Sequence, residues 1–112
     1  MNPILIRVNV ETDFSEQKAA TTNTTAPIPM TRTAGHTEIE DSSAAIWECT
    51  PGKFPRQVAQ AEFSYIIEGE GTFTNNDGDI TKFQAGDSLY FEANTKGEWH
   101  IKKTVRKAYF IV

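Results

Sequence analysis

Apolar and polar positions alternate along this chain in short runs, separated by glycine, proline and Asn/Asp turns. The clearest run is Ala61–Glu68, "AEFSYIIE". It sets Phe63, Tyr65 and Ile67 on one face and Glu62, Ser64 and Ile66 on the other. A period of two is that of a β-strand. Ala44–Thr50 predicts a second strand, closed by Pro51-Gly52. Gly71–Thr74 leads into Asn75-Asn76-Asp77-Gly78, where Asp-Gly favours the positive φ of a hairpin turn. Asp79–Phe83, Ser88–Phe91, Glu98–Lys102 and Lys107–Val112 read as further strands, with turns at Gln84–Asp87 and Asn94–Gly97. The basic run Lys102–Lys107 reads as a solvated turn between the last two. Helical periodicity is nearly absent after residue 35. Short strands with regularly spaced turns predict an all-β sandwich or barrel.

The first 35 residues read differently. Pro3–Val10 is β-rich and alternates, which predicts a strand. Asp13–Ala20 has the pattern of one helical turn capped by Ser15, too short to stand by itself. Ala19–Gly35 is rich in Thr and carries Pro27 and Pro29, so it reads as an arm or long loop, ordered only where something covers it. The expected organisation is an N-terminal strand and arm over residues 1–35 and a β-barrel over residues 36–112.

Composition narrows the function classes. The 112 residues make one domain with a modest core, and seven Phe, three Tyr and two Trp give that core large side chains. Net charge is -4; residues 1–50 carry three basic and seven acidic side chains, and residues 51–112 carry eight of each. Neither half has the basic excess that phosphate backbones require, so nucleic acid is not expected as a partner. A lone cysteine, Cys49, rules out an internal disulfide and a cysteine zinc cluster, and its place in a strand predicts a buried, inert thiol. Met1–Val10 is short, carries Arg7 and lacks a small-residue cleavage site, so it does not read as a signal peptide. No run approaches the ~20 apolar residues of a membrane helix. The expectation is a soluble, cytoplasmic protein with no membrane partner.

Turn spacing is more specific than the fold class. Glu62 followed by Gly69, then Gly86-Asp87, resembles the two motifs of the cupins. Finer matches lie in Trp47–Phe54, Glu62–Gly69, Gly86–Ser88, Gly97–Trp99 and Lys107–Tyr109. They resemble the branch that includes ureidoglycine aminohydrolase and the ethanolamine-utilisation cupins. The resemblance implies a single-domain cupin jelly-roll β-barrel with an N-terminal arm. It also implies a homodimer and, for some members, enzymes acting on small nitrogen-containing metabolites. Cupins of the metal-binding kind place two histidines ahead of the acid and one in the second motif. Here those positions fall at about Arg56, Val58 and Gly97, and only Glu62 remains of the ligand set. If Glu62 points inward, alternation sends Gly97, Trp99 and Ile101 inward and His100 to the other face. His36 lies beside the arm. One carboxylate does not make a metal site, so no metal and no cofactor are expected.

Two readings of Glu62 stand side by side. In one it is the polar handle of a dry pocket, a candidate acid or base with a raised pKa. Phe54, Arg56, Tyr65, Trp99, Lys107 and Tyr109 are then the candidate ligand-binding residues. In the other it is structural, bonded to backbone N–H groups or paired with Arg56 or Lys107. The functional expectation is a binding module for a small polar or nitrogenous metabolite. The alternatives are a hydrolase or isomerase that uses Glu62, or a structural dimer without a working pocket. The apolar face of Phe63, Tyr65 and Ile67 requires cover from a second sheet layer, from the N-terminal strand or arm, or from a second subunit.

Overall fold

The computed structural model describes residues 2–7, 13–22 and 25–112. Its eight strands are β1 (Lys18–Ala19), β2 (Met30–Ile39), β3 (Ser42–Cys49), β4 (Gly52–Pro55), β5 (Glu62–Asn75), β6 (Ile80–Gln84), β7 (Ser88–Phe91) and β8 (Gly97–Ile111). All pairings are antiparallel. The hydrogen-bonded order is β1-β2-β3-β8-β5-β6, with β4 also on β8 and β7 also on β5. Among the described residues the ends of this order do not pair, so the sheet is not closed.

Two long strands organise the molecule. The first part of β5, Glu62–Ile66, pairs with β7 and with Lys107–Ile111 of β8. The last part, Glu70–Asn75, pairs with β6 and with Gly97–Lys103 of β8. Between them the register shifts repeatedly from Ile66 to Gly71, and such irregularities bend a strand. Gly69 stands at this corner with φ +92°, and a Cβ there would strike the Thr104 carbonyl and approach Val105 Cα to 2.7 Å. Only glycine fits both the angle and the approach. The bend folds the two halves onto each other. Trp47 of β3 then lies 6.2 Å from Phe54 of β4, and Phe91 of β7 lies 5.0 Å from Phe73 of late β5. Trp99 sits among Phe73, Phe83 and Phe91 at 5.3–5.7 Å in tilted or edge-on geometries, the arrangements aromatic rings favour.

The strands expected at Ala61–Glu68 and Gly71–Thr74 prove to be one continuous strand, as do Glu98–Lys102 and Lys107–Val112. The expected solvated turn at Lys102–Lys107 is therefore corrected: it is mid-strand, and Val105 and Lys107 are buried. A bent strand keeps its hydrogen bonds through the corner, and charge density alone does not reveal that. β4, at Gly52–Pro55, is an element the turn signal at Pro51-Gly52 concealed.

The N-terminal expectations also change. Asn2–Arg7 form no strand, and Val8–Val10 lie outside the described residues. In place of a helical turn at Asp13–Ala20, Phe14 bridges to Ala34, Ser15 N–H donates to the Thr33 carbonyl at 2.8 Å, and Lys18–Ala19 pair with Thr31 and Met30. The open edge of β2 offers several ladder bonds, whereas one isolated helical turn offers about one against its nucleation cost. Met30–Gly35, expected within the arm, belong to β2.

Candidate functional site

Alternation in β5 buries Glu62, Ser64 and Ile66 and exposes Phe63, Tyr65 and Ile67. Glu62 is only 3% exposed. Register sets its partners. Ser64 lies two residues on and shares its face, and Lys107 of β8 pairs opposite Ile66. Glu62 Oε2 accepts from Ser64 Oγ at 2.7 Å and from Lys107 Nζ at 2.7 Å. Oε1 accepts from Arg56 Nη2 at 3.2 Å.

Arg56 is an anchor. Its Nη1 donates to the carbonyls of Val58 (2.7 Å) and Thr95 (3.0 Å), and its Nη2 donates to Gln60 O (3.1 Å) as well as to Glu62. Its guanidinium lies 4.4 Å over the Phe91 ring. Lys107 is different. Its Nζ has Glu62 on one side, and the rings of Trp47 and Trp99 lie 4.6 and 4.7 Å away.

These neighbours set the charge states. Burial pushes the Glu62 carboxyl up, but Lys107, Ser64 and Arg56 more than offset it and hold Glu62 below the ordinary carboxylate value. The raised acid expected from a lone desolvated carboxylate is therefore corrected, because it is not alone. Burial pulls the Lys107 ammonium below the ordinary lysine value, against the opposing pull of Glu62. Burial raises Tyr109, with a further contribution from the Glu62 charge. Cys49 is fully buried and its thiol is pushed up to about 12, chiefly by burial, in keeping with an inert cysteine.

A cavity of about 280 Å³ opens beside this cluster. Of the expected site residues, Glu62, Phe54, Arg56, Trp99, Lys107 and Tyr109 line it. Tyr65 does not line it: it stands on the opposite face of β5, 46% exposed. Trp47, read from the sequence as core, is a wall residue, as its alternation with the buried Ala45 and Cys49 allows. Lys18, Ala19, Thr31 and Thr33 close one side. Sequence reasoning missed these four, since their position depends on the docking of β1 onto β2.

The metal set of other cupins does not fit here. Arg56 stands at the first histidine position and delivers a cation to the acid. Val58 has no ligating atom. At Gly97 a Cβ would strike the Thr74 carbonyl and come within 2.7 Å of the Phe73 ring, so Phe73 occupies the space a histidine would need. Among the described residues no three His, Cys, Asp or Glu side chains converge. A divalent cation at Glu62 would face two buried cations.

A family model described as an EutQ-like cupin domain matches residues 37–109. The chain belongs to this family. No curated protein matches it. Among solved structures, a DUF861 family protein from Thermotoga maritima is 30% identical, with 60% of this chain and 76% of that one covered and a TM-score of 0.58. The EutQ protein of Clostridium difficile is 14% identical (74% and 62% covered, TM-score 0.64). Ectoine synthase from P. lautus is 15% identical (72% and 62% covered, TM-score 0.61). The last two likenesses establish the fold. This EutQ-like cupin therefore has unassigned activity, on a fold shared with an enzyme. Lys18, Ala19, Thr31 and Thr33 of its cavity wall all precede the matched segment.

Proposed function

We propose that this EutQ-like cupin holds a small organic molecule in the cavity beside Glu62, without a metal ion. One observation carries the reading: Arg56 and Lys107 take up both oxygens of Glu62 while an aromatic-walled space of about 280 Å³ remains beside them. Small-molecule sites have this character, apolar walls with a few convergent polar groups. Glu62 acts there as a fixed charge that orients Lys107. As a general base it would be weak, because its proton affinity is lowered and its lone pairs are engaged.

The test is thermal melting of the purified protein against a panel of small metabolites, with metal analysis alongside. A ligand that binds only the folded state raises the melting temperature with concentration. A panel without any shift, or stoichiometric metal lost together with stability on chelation, overturns the proposal.

We further propose a homodimer through the outer face of β5, β7 and β8. Phe63 pairs in register with Tyr90 and with Phe110, and the three are 52%, 66% and 46% exposed. Tyr65 and Ile67 extend the patch. It carries no charge, so a two-fold axis would bring it against itself without like-charge repulsion. Ile4 and Ile6 lie near Thr37, Ala44 and Phe110, at the β2–β3 side of this face. Sedimentation of a single monomeric species at high micromolar concentration would exclude the dimer.

A further inference from the structure

The charges around the cavity are unbalanced. Arg56 and Lys107 face Glu62 alone, which leaves one formal positive charge at the buried end, and Lys18 adds another at the rim. This positive site lies in a chain whose net charge is -4. The donors are unbalanced too. Every terminal N–H of Arg56 is committed to carbonyls or to Glu62. An ammonium has three N–H donors. Lys107 spends one on Glu62 at 2.7 Å and turns its remaining sides toward the indoles of Trp47 and Trp99 and toward the cavity. Tyr109 also lines the cavity, on the same strand and face as Lys107, with its ring 6.0 Å from Nζ.

From these placements we propose that the ligand is a small monocarboxylate with an apolar body, its carboxylate accepting from Lys107 Nζ and the Tyr109 hydroxyl. This rests on the reading of the cavity as a small-molecule site and names its ligand class. Both oxygens of Glu62 already serve two cations and a hydroxyl, so an amine ligand would displace one of them and add charge to a site already positive. A phosphate dianion calls for the forked donors that Arg56 has committed elsewhere. A single carboxylate needs few donors and cancels the one excess charge at the buried end. The rest of the ligand meets Trp47, Phe54 and Trp99. The space of about 280 Å³ suits a small guest.

The chain has two tryptophans, and both line the cavity, so indole emission reports its occupancy directly. The experiment titrates the full chain with benzoate, benzamide and benzylamine, and with propionate, propionamide and propylamine, following emission and melting temperature. Within a series the probes share a body and differ in charge. The carboxylates are expected to bind roughly ten-fold or more tighter than the amides, the increment of a charge-assisted hydrogen bond, with amines weakest. In Tyr109→Phe, which keeps the ring, carboxylate binding should weaken while the response to amides stays unchanged. Amides or amines binding as well as carboxylates would overturn this inference and leave the cavity reading intact. A silent response to all six overturns both. Lys107→Met is the direct variant; because it removes a buried hydrogen-bond partner of Glu62, the wild-type charge series and Tyr109→Phe decide the question if it does not fold.

Discussion

Lys107 Nζ lies 2.7 Å from Glu62 Oε2, and both side chains are buried inside the sheet. The pair joins β8 to β5 at the point where the two sheet halves enclose the cavity. Arg56 completes it from the segment after β4. Structure and site thus depend on the same three side chains.

Glu62→Gln leaves two buried cations without their counter-charge. It should cost about 3–5 kcal/mol, the range for breaking a buried ion pair. Urea unfolding monitored by circular dichroism measures this. A loss below about 1 kcal/mol would place the pair among weakly contributing surface pairs.

Acid should destabilise the protein through Glu62 and Glu48. The Glu48 carboxyl is raised by burial, but Arg32 and Arg106, at 2.7 and 2.8 Å, hold it below the ordinary value. A carboxyl depressed in the folded state stabilises at pH above its unfolded value. That stability is lost as pH falls through the unfolded value, 4.5, toward the lower folded one. The melting temperature should therefore fall below about pH 4.5, and less steeply in Glu48→Gln. Equal slopes in both proteins would contradict this assignment.

Phe14 lies against two guanidiniums, Arg32 at 4.2 Å and Arg106 at 4.9 Å. Phe14→Ala should cost about 1–2 kcal/mol, two cation–π contacts' worth, and speed hydrogen exchange at Lys18–Ala19. Unchanged exchange there would mean that the strand pairing alone retains the arm.

Gly97→His returns a histidine to a position where metal-binding cupins have one. The added side chain must displace Phe73 or the β5 backbone. A destabilisation of about 1–3 kcal/mol is expected from overpacking, with no gain in bound metal by elemental analysis. A stable variant that binds one metal per chain would contradict the packing argument.

Phe63→Glu should convert a dimer to a monomer, because a carboxylate at a self-facing apolar patch meets its own copy. A dimer has twice the mass of the monomer, so sedimentation velocity should separate the two states. A dimer that survives the change would move the interface elsewhere.

The fold was legible because alternation and turns are local signals. The burial pattern of Glu62–Ile67 follows the sequence period residue by residue. The cupin likeness rested on such spacings, and residues 37–109 carry it. Part of the site was legible too, since the same parity places Trp99 inward; it also places Tyr65 outward, against the expectation that Tyr65 binds ligand. Pairing of Glu62 with Arg56 or Lys107 was one of its two readings and is found with both, but the choice between the readings was not legible. It depends on the register that pairs β5 with β8, and on Lys107 lying mid-strand where a run of basic residues looks like solvent-exposed turn. The arm was misread for a related reason: its short segments gain their conformation from the edge of β2, not from their own pattern.

The placement of Lys18, Ala19, Thr31 and Thr33 along the cavity has a consequence for relatives. The buried charges Arg56, Glu62 and Lys107 lie within the matched residues 37–109, whereas these wall residues precede residue 37. If the cavity holds a carboxylate as proposed, the buried cation that meets it and the wall that limits its size lie in separable stretches of chain. Exchanging the arm between homologues should then retune how large a guest is admitted while leaving the buried charge that meets it unchanged.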